Sequence, residues 1–499
     1  MRSVLALDQG TTGSTALVIA ADGRVLGRGY REFAQHFPQP GWVEHDPADL
    51  LRATLDAARE ALAAAAVVPE CIGITNQRET VVVWDKATGV PVHRAIVWQD
   101  RRTADRCVAL AGQKEFIASR TGLVLDAYFS ATKIEWILRS DGGLLRRALQ
   151  GDLLAGTVDT WLIWQLTDGT VHATDPTNAS RTMLYDIDAH AWSDELCALF
   201  GVPRAMLPEV RSSRGDFGVA AARHLGVALP ITGVAGDQQA ALFGQGCVAP
   251  GEAKNTYGTG AFMLMNTGST RPSLGDGLLT TIACDAAGAP CYALEAAIFI
   301  AGAAVQWIRD GLGLIATAAE TEALASGLVS NDGVYFVPAL TGLGAPHWES
   351  EARGTLVGLT RGTTRAHIVR AALEAMAFGT ADVMQSMQQR SGVTLDALRV
   401  DGGAAANGWM MQFQADVLGV PVERPAMVET TALGAAGLAG LHTGVWGDVH
   451  EFRTAQRISV ITPSAGAADA RAAYAGWQRA MRATLAWARD GGVRDGARG

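Results

Sequence analysis

A chain of 499 residues is too long for one ordinary hydrophobic core, and two domains of about 200 to 250 residues are expected. At 48% hydrophobic and 18% charged residues the composition is globular rather than disordered. The 41 basic and 50 acidic residues leave a net charge of -9 with no Lys/Arg block, which argues against a nucleic acid partner.

The apolar run Val4–Leu7 stops at Asp8, and Gly10, Thr11, Thr12, Gly13 and Ser14 separate it from a second run, Ala16–Ile19. The pattern predicts two strands joined by a tight turn. Gly10 and Gly13 would let backbone approach a ligand, while Thr11, Thr12 and Ser14 would add hydroxyl donors to the main-chain N–H groups, as in a phosphate cradle. Asp8 would repel phosphate unless it held Mg²⁺ between itself and a nucleotide. A structural glycine hairpin is the alternative for this turn alone, so the case depends on partners elsewhere.

Asp22-Gly23 turns into a further strand, and Asp46 with Pro47 predicts a helix start, followed by Leu51, Leu55, Ala58 and Leu62 at helical spacing. Cys71–Thr75 reads as a buried strand whose end delivers Asn76, Gln77, Arg78 and Glu79. Adjacent Arg and Glu can offer fixed donors and acceptors to a polyol, or form an ordinary surface ion pair. A strand Val81–Trp84 turns at Asp85–Gly89 and returns as Ala95–Trp98, helices are expected near Ala131–Leu138 and Thr160–Leu166, and loops with edge strands between Pro203 and Pro230. Ile231–Val234 then leads into Gly236-Asp237-Gln238-Gln239 and a helix through Leu242. Asp237 can accept a proton from an attacking hydroxyl, cap that helix, or both. Trp98 and Phe262 are candidate apolar walls, or plain core.

A boundary is expected near Val248–Gly251, giving domains 1–248 and 249–499. The second half restarts like the first: Lys254–Tyr257, a Gly258-Thr259-Gly260 turn, then the apolar Ala261–Met265, which suggests a diverged internal duplication. A helix Ala301–Leu312 carries Gln306, and a longer one begins near Thr364 with Val369, Leu373, Met376, Val383 and Met387 on one face. A short strand, Leu398–Val400, delivers Asp401-Gly402-Gly403-Ala404-Ala405-Ala406-Asn407 into a helix from Trp409. From Ala465 the composition suggests a surface helix and a loose Gly/Asp/Arg tail. Neither a Rossmann fingerprint nor a Walker loop is present, and three Gly-rich turns at strand ends favour a nucleotide clasped between two related lobes. The six cysteines are scattered without a CxxC pair, which argues against zinc and a disulfide framework; with no signal-like start, a soluble cytoplasmic protein with reduced thiols is expected.

The segments Ile74–Thr80, Val97–Arg102, Tyr128–Lys133, Asp159–Leu162, Ala235–Gln239, Tyr257–Gly260 and Gly342–Pro346 resemble the glycerol-phosphorylating branch of the FGGY carbohydrate kinase family. The resemblance runs from the Asp8 turn to about Trp446. It implies an α/β fold of two actin-like (ribonuclease H-like) domains, each a mixed sheet flanked by helices, with a cleft between them. The implied reaction is ATP-dependent phosphorylation of glycerol to sn-glycerol 3-phosphate and ADP. Carried over by motif, Arg78, Glu79, Tyr128, Asp237 and Gln238 would bind glycerol, with Asp237 as base and Trp98 and Phe262 as apolar walls. Thr11, Thr12, Gly13, Thr259, Gly302, Gln306, Gly403, Ala404 and Asn407 would line the ATP site, and Asp8 would hold Mg²⁺. The expected partners are glycerol and ATP/ADP, with a homodimer or homotetramer, no nucleic acid and no membrane span. One departure stands out: where the family's opening turn commonly reads Thr-Thr-Ser-Ser-Arg, this chain has Gly13 and Thr15, which bears on nucleotide affinity. The loop before Ile231 lacks the Gly/Arg-rich segment some members use for fructose 1,6-bisphosphate, and no histidine sits where others are phosphorylated, so neither control is expected.

Overall fold

The computed structural model describes residues 1–427 and 429–491, and most of the expected Gly/Asp/Arg tail lies outside the described residues. The chain divides into two compact units, one made of Met1–Ala249, Thr280–Ala293 and Glu429–Gln456, the other of Pro250–Leu279, Leu294–Val428 and Arg457–Gly499. The break expected near Val248 coincides with the first of these boundaries, and two later segments, 280–293 and 429–456, group with the first unit. For the second the cause is close packing. The helix Thr430–Thr443 lies against strand Cys71–Asn76 so tightly that a Cβ on Gly73 would fall 2.1 Å from the Ala435 carbonyl oxygen.

In the first unit a sheet runs in the order Val219–Ala220, Leu229–Gly236, Cys71–Asn76, Ser3–Gln9, Gly13–Ala20, Val25–Glu32. Its strands Ser3–Gln9, Cys71–Asn76 and Leu229–Gly236 are parallel, and their last residues Gln9, Asn76 and Gly236 stand in register. Leu5, Leu7, Ile72, Ile74 and Val234 are buried in its core, which is why these strands read as near-continuous apolar runs. The helix Pro47–Ala65 starts as expected, with the Asp46 carboxylate accepting from the Ala48 N–H at 2.9 Å. Its buried face is Leu50, Ala53, Ala57 and Ala61 together with Leu55 and Ala58, rather than one centred on Leu51 and Leu62. Gly27 and Gly29 decide this: a Cβ on either would strike the Ala61 or Ala57 carbonyl, at 2.1 and 2.0 Å. A smaller sheet of Glu44–His45, Ala95–Ile96, Val81–Asp85 and Leu153–Thr157 carries Trp98 just beyond one strand end.

The second unit repeats the opening ladder. Glu252–Tyr257 and Ala261–Gly268 form an antiparallel hairpin, and Ala397–Gly402 lies parallel to the former, with Tyr257 opposite Gly402. The helix Arg365–Ser391, capped by Thr364, buries Val369, Leu373, Met376, Val383 and Met387 in this unit's core. The C-terminal helix Ala467–Gly491 is not merely superficial: Trp477 stacks on Phe378 at 5.6 Å, and Ala470, Ala480 and Met481 are buried in the same cluster. Among the described residues no helix is long and apolar enough to cross a membrane. All six cysteines are free and buried.

Candidate functional site

In the first unit the functional side chains gather where the parallel strands end, the usual binding edge of such sheets. Asp8 precedes the last residue of its strand. Burial and the neighbouring carboxylates of Asp237 and Glu429 push its carboxyl up to about 7. The turn after it closes through the Gly10 N–H donating to the Gly13 carbonyl at 3.0 Å. Thr11 Oγ1 accepts from the Trp98 indole N–H at 2.9 Å, and Thr12 is exposed. Ser14, expected to serve a phosphate, is turned inward, its hydroxyl 3.1 Å from Thr54 Oγ1.

The neighbouring strand end forms a buried ionic group, which removes the surface ion-pair alternative for Arg78 and Glu79. Arg78 Nε lies 3.1 Å from Asp237 Oδ1, and its terminal nitrogen donates to Gln239 Oε1 at 3.1 Å. Asp237 is the first residue of its helix, whose cap position is Gly236. A Cβ on Gly236 would fall 2.7 Å from Arg78 Cγ, so the glycine is what lets the arginine cross to Asp237. Gln238 is half-buried beside it, and its N–H donates to Asp237 Oδ1 at 2.6 Å.

The nearest cation to Glu79 is one the sequence did not single out. Arg181 donates to Glu79 Oε1 at 2.6 Å, whereas Arg78 Nε is 3.8 Å from the same oxygen. Arg181 is completely buried, with its guanidinium carbon 5.2 Å from the Phe129 ring centre and 5.8 Å from that of Tyr128. Glu79 holds a φ of +62°, and the Thr80 N–H donates to the Arg78 carbonyl at 2.7 Å across it. Such a conformation is costly for a residue with a Cβ and persists only where the surroundings enforce it. Here the Ser130 hydroxyl, which donates to the Glu79 carbonyl at 2.9 Å, and Arg181 do so. Tyr128 stands edge-on to Trp98 at 5.6 Å, and the two rings make an aromatic wall. Lys133, also fully buried, fixes that wall: its ammonium donates to the carbonyls of Ala127, Tyr128 (2.7 Å) and Phe129 (3.1 Å). Burial lowers its pKa to about 7. Neither Arg181 nor Lys133 was assigned a role from sequence, because their partners are set by tertiary contacts.

The second unit holds the remaining candidates. The Gly258–Gly260 turn docks on the helix Gly302–Asp310: the Gly302 N–H donates to the Gly258 carbonyl at 3.0 Å, and those of Ala301 and Ala303 to the Thr259 carbonyl at 2.9 and 3.0 Å. A Cβ on Gly302 would lie 2.6 Å from that Gly258 oxygen. Gln306 is exposed one helical turn on. Gly403 and Ala404 follow strand Ala397–Gly402 in a 3₁₀ turn, with Gly403 exposed. The Asn407 side chain is engaged in the fold, accepting from the Met410 N–H at 2.9 Å as a helix cap and donating to Thr321 Oγ1 at 3.1 Å. Phe262 lies on the second strand of this hairpin, and at 39% exposure it is not core.

The chain is similar over nearly its full length to proteins of known sequence and structure. Glycerol kinase 2 of Thermotoga maritima is 54% identical over 493 residues, covering 98% of this chain and 99% of its own length. Glycerol kinase of Rhodopirellula baltica is 53% identical over 493 residues, covering 98% of this chain and 92% of its own. Among solved structures, glycerol kinase of Plasmodium falciparum with ADP superimposes with a TM-score of 0.92 at 35% identity, over 97% of this chain and 98% of that one. A xylulose kinase from Rhodospirillum rubrum gives 0.86 at 24% identity over 97% and 99%, a likeness of fold alone. Profiles of the N- and C-terminal domains of one family match residues 3–244 and 253–443, and with both halves accounted for, the chain belongs to the FGGY family of carbohydrate kinases.

Proposed function

We propose that this chain transfers the terminal phosphoryl group of ATP to a primary hydroxyl of glycerol. The observation that carries this is the set of buried Arg78, Glu79 and Arg181 with the half-buried Asp237, beside the Trp98–Tyr128 wall, on a chain similar to glycerol kinases over nearly its full length. Arg78 offers donors and Glu79 acceptors to a small polyol, with Tyr128 and Gln238 adding polar contacts and Trp98 an apolar face toward its carbons. Buried groups that would be left unpaired by a poorer substrate discriminate strongly against it.

Asp237 is assigned as the general base. The hydroxyl oxygen forms a bond to the terminal phosphorus, the bond from that phosphorus to the bridging oxygen of ADP breaks, and the hydroxyl proton passes to Asp237. Phosphoryl transfer of this kind depends chiefly on orientation, and the Arg78 ion pair fixes the carboxylate that receives the proton. Thr11, Thr12 and the Gly10–Gly13 backbone are assigned to the phosphates, and Thr259, Gly302, Gln306, Gly403, Ala404 and Asn407 to the nucleotide. Asp8 fits a divalent cation: it has two carboxylates near it and no hydrogen-bond donor from the described residues. Mg²⁺ is usually held by one or two carboxylates and completes its shell with phosphate oxygens and waters. Held there, Mg²⁺ would neutralise charge on the phosphates.

A coupled assay of ADP release with no acceptor and with glycerol, dihydroxyacetone, xylulose or gluconate tests the assignment. ADP release should depend on glycerol and be fastest with it. Release independent of any acceptor, or faster with xylulose or gluconate, would overturn it.

A further inference from the structure

Gly13 is a glycine for a reason other than backbone freedom, since it is not among the residues of positive φ. A Cβ there would lie 2.6 Å from the Tyr30 hydroxyl oxygen and 2.7 Å from Cε2 and Cζ of the same ring. The phenol occupies the space that any side chain at position 13 would need. Tyr30 pairs with Thr15, and Thr15 with Asp8, across three adjacent antiparallel strands. Directly opposed residues project from one face, so Asp8, Thr15 and Tyr30 form a single row. Gly13, two residues before Thr15, shares that face, and so does Arg28, whose guanidinium reaches Glu429 Oε1 at 3.0 Å. This is the face on which Asp8 meets Asp237 and Glu429. Tyr30 is 41% exposed, and the hydrogen bonds of the described residues engage its carbonyl but not its hydroxyl. Ser14 has meanwhile turned its own hydroxyl to Thr54 on the opposite face.

We propose that Tyr30 is a phosphate-contacting residue of the nucleotide site, its hydroxyl seated over Gly13 at the mouth of the turn and donating to a phosphoryl oxygen of the bound nucleoside triphosphate. It replaces the hydroxyl that the turn lacks at position 13, and it requires glycine there. The proposal rests on the nucleotide assignment above, and a binding experiment separates the two. Equilibrium titration with AMP-PNP and Mg²⁺ is made on the wild-type chain, Tyr30→Phe, Gly13→Ala and the double variant. Tyr30→Phe should weaken AMP-PNP binding by about tenfold, as expected for a hydrogen bond to a charged group, with glycerol binding and melting temperature unchanged. Gly13→Ala should weaken it similarly, because the half-exposed ring swings aside at little cost to folding. The double variant should bind no worse than Gly13→Ala, since both changes remove the same contact. Wild-type affinity in Tyr30→Phe, or fully additive losses in the double variant, would overturn the role of Tyr30 while leaving the nucleotide site standing. A wild-type chain that binds no AMP-PNP would overturn both.

Discussion

The two units carry the same three-strand ladder and put different chemistry at its end. In the first, Ser3–Gln9 pairs with Gly13–Ala20 and lies parallel to Cys71–Asn76; in the second, Glu252–Tyr257 pairs with Ala261–Gly268 and lies parallel to Ala397–Gly402. Matched by register, Asp8 corresponds to Thr256 and Asn76 to Gly402. Beyond those strand ends one chain continues into Gln77, Arg78 and Glu79, the other into Gly403, Ala404 and Ala405. One edge presents buried charges that must be oriented, while the other presents backbone that a flat or bulky ligand can approach closely. The ladder sets where the chemistry stands, and the few residues after it set what the chemistry is.

The sharpest way to break that contrast is at the charged edge. Asp237→Asn keeps the size of the side chain and removes the proton acceptor, so turnover should fall by about 10² or more while glycerol binding stays measurable by calorimetry. Near-normal turnover would remove Asp237 as the base.

Asp8 tests the same edge through pH. Its carboxyl is raised from the usual 3.8 to about 7 in the fold. Between those values the unfolded chain is ionised while the folded chain holds the proton, so stability falls as pH rises through the window and is unaffected below it. Asp8→Asn removes this cost. Without nucleotide it should melt above the wild type at about pH 8 and together with it near pH 4, yet lose most of its turnover. Identical melting at both pH values would show that Asp8 is not crowded by Asp237 and Glu429.

Arg181→Met is the next in size. It leaves the Glu79 carboxylate buried without its nearest cation, a loss of about 3–5 kcal/mol for a buried pair broken from one side. The melting temperature should drop and the KM for glycerol rise, with the KM for ATP little changed. A rise confined to ATP would place Glu79 outside the glycerol site.

Much of this edge was legible in the sequence, because strand-length apolar runs followed by Gly, Asp and Thr mark turns whatever lies around them. Asp8, Arg78 and Asp237 stood out for that reason, and the repeated ladder showed in the Gly258-Thr259-Gly260 turn. What could not be read depends on packing. The Ala-rich helix Pro47–Ala65 has apolar residues on more than one side, and Gly27 and Gly29 on a neighbouring strand choose which side is pressed inward. The assignment of 429–456 to the first unit rests on Gly73, Gly233 and Gly244, each of which would drive a Cβ into the helix Thr430–Thr443 or its start. Arg181 lies 102 residues from Glu79 in sequence, and the positive φ of Glu79 has no local signature.

The smallest expected effect belongs to the backbone edge, where two adjacent glycines separate folding from binding. Gly402 has a φ of +85°, and a Cβ there would lie 2.3 Å from the Tyr257 carbonyl oxygen, so Gly402→Ala should destabilise the strand end by about 1–3 kcal/mol. Gly403 has no such constraint, with no atom within 4 Å of the position a Cβ would take. Gly403→Ala should therefore change stability by less than about 0.5 kcal/mol, the range of an ordinary surface substitution. If bare backbone at this edge is what the nucleotide meets, the same change should raise the KM for ATP a few-fold while leaving that for glycerol alone. An unchanged KM for ATP in a fully folded Gly403→Ala chain would mean that the second ladder ends in glycine for the sake of its own turn, and the contrast with the charged edge would then lie in Gly402 and the strand geometry alone.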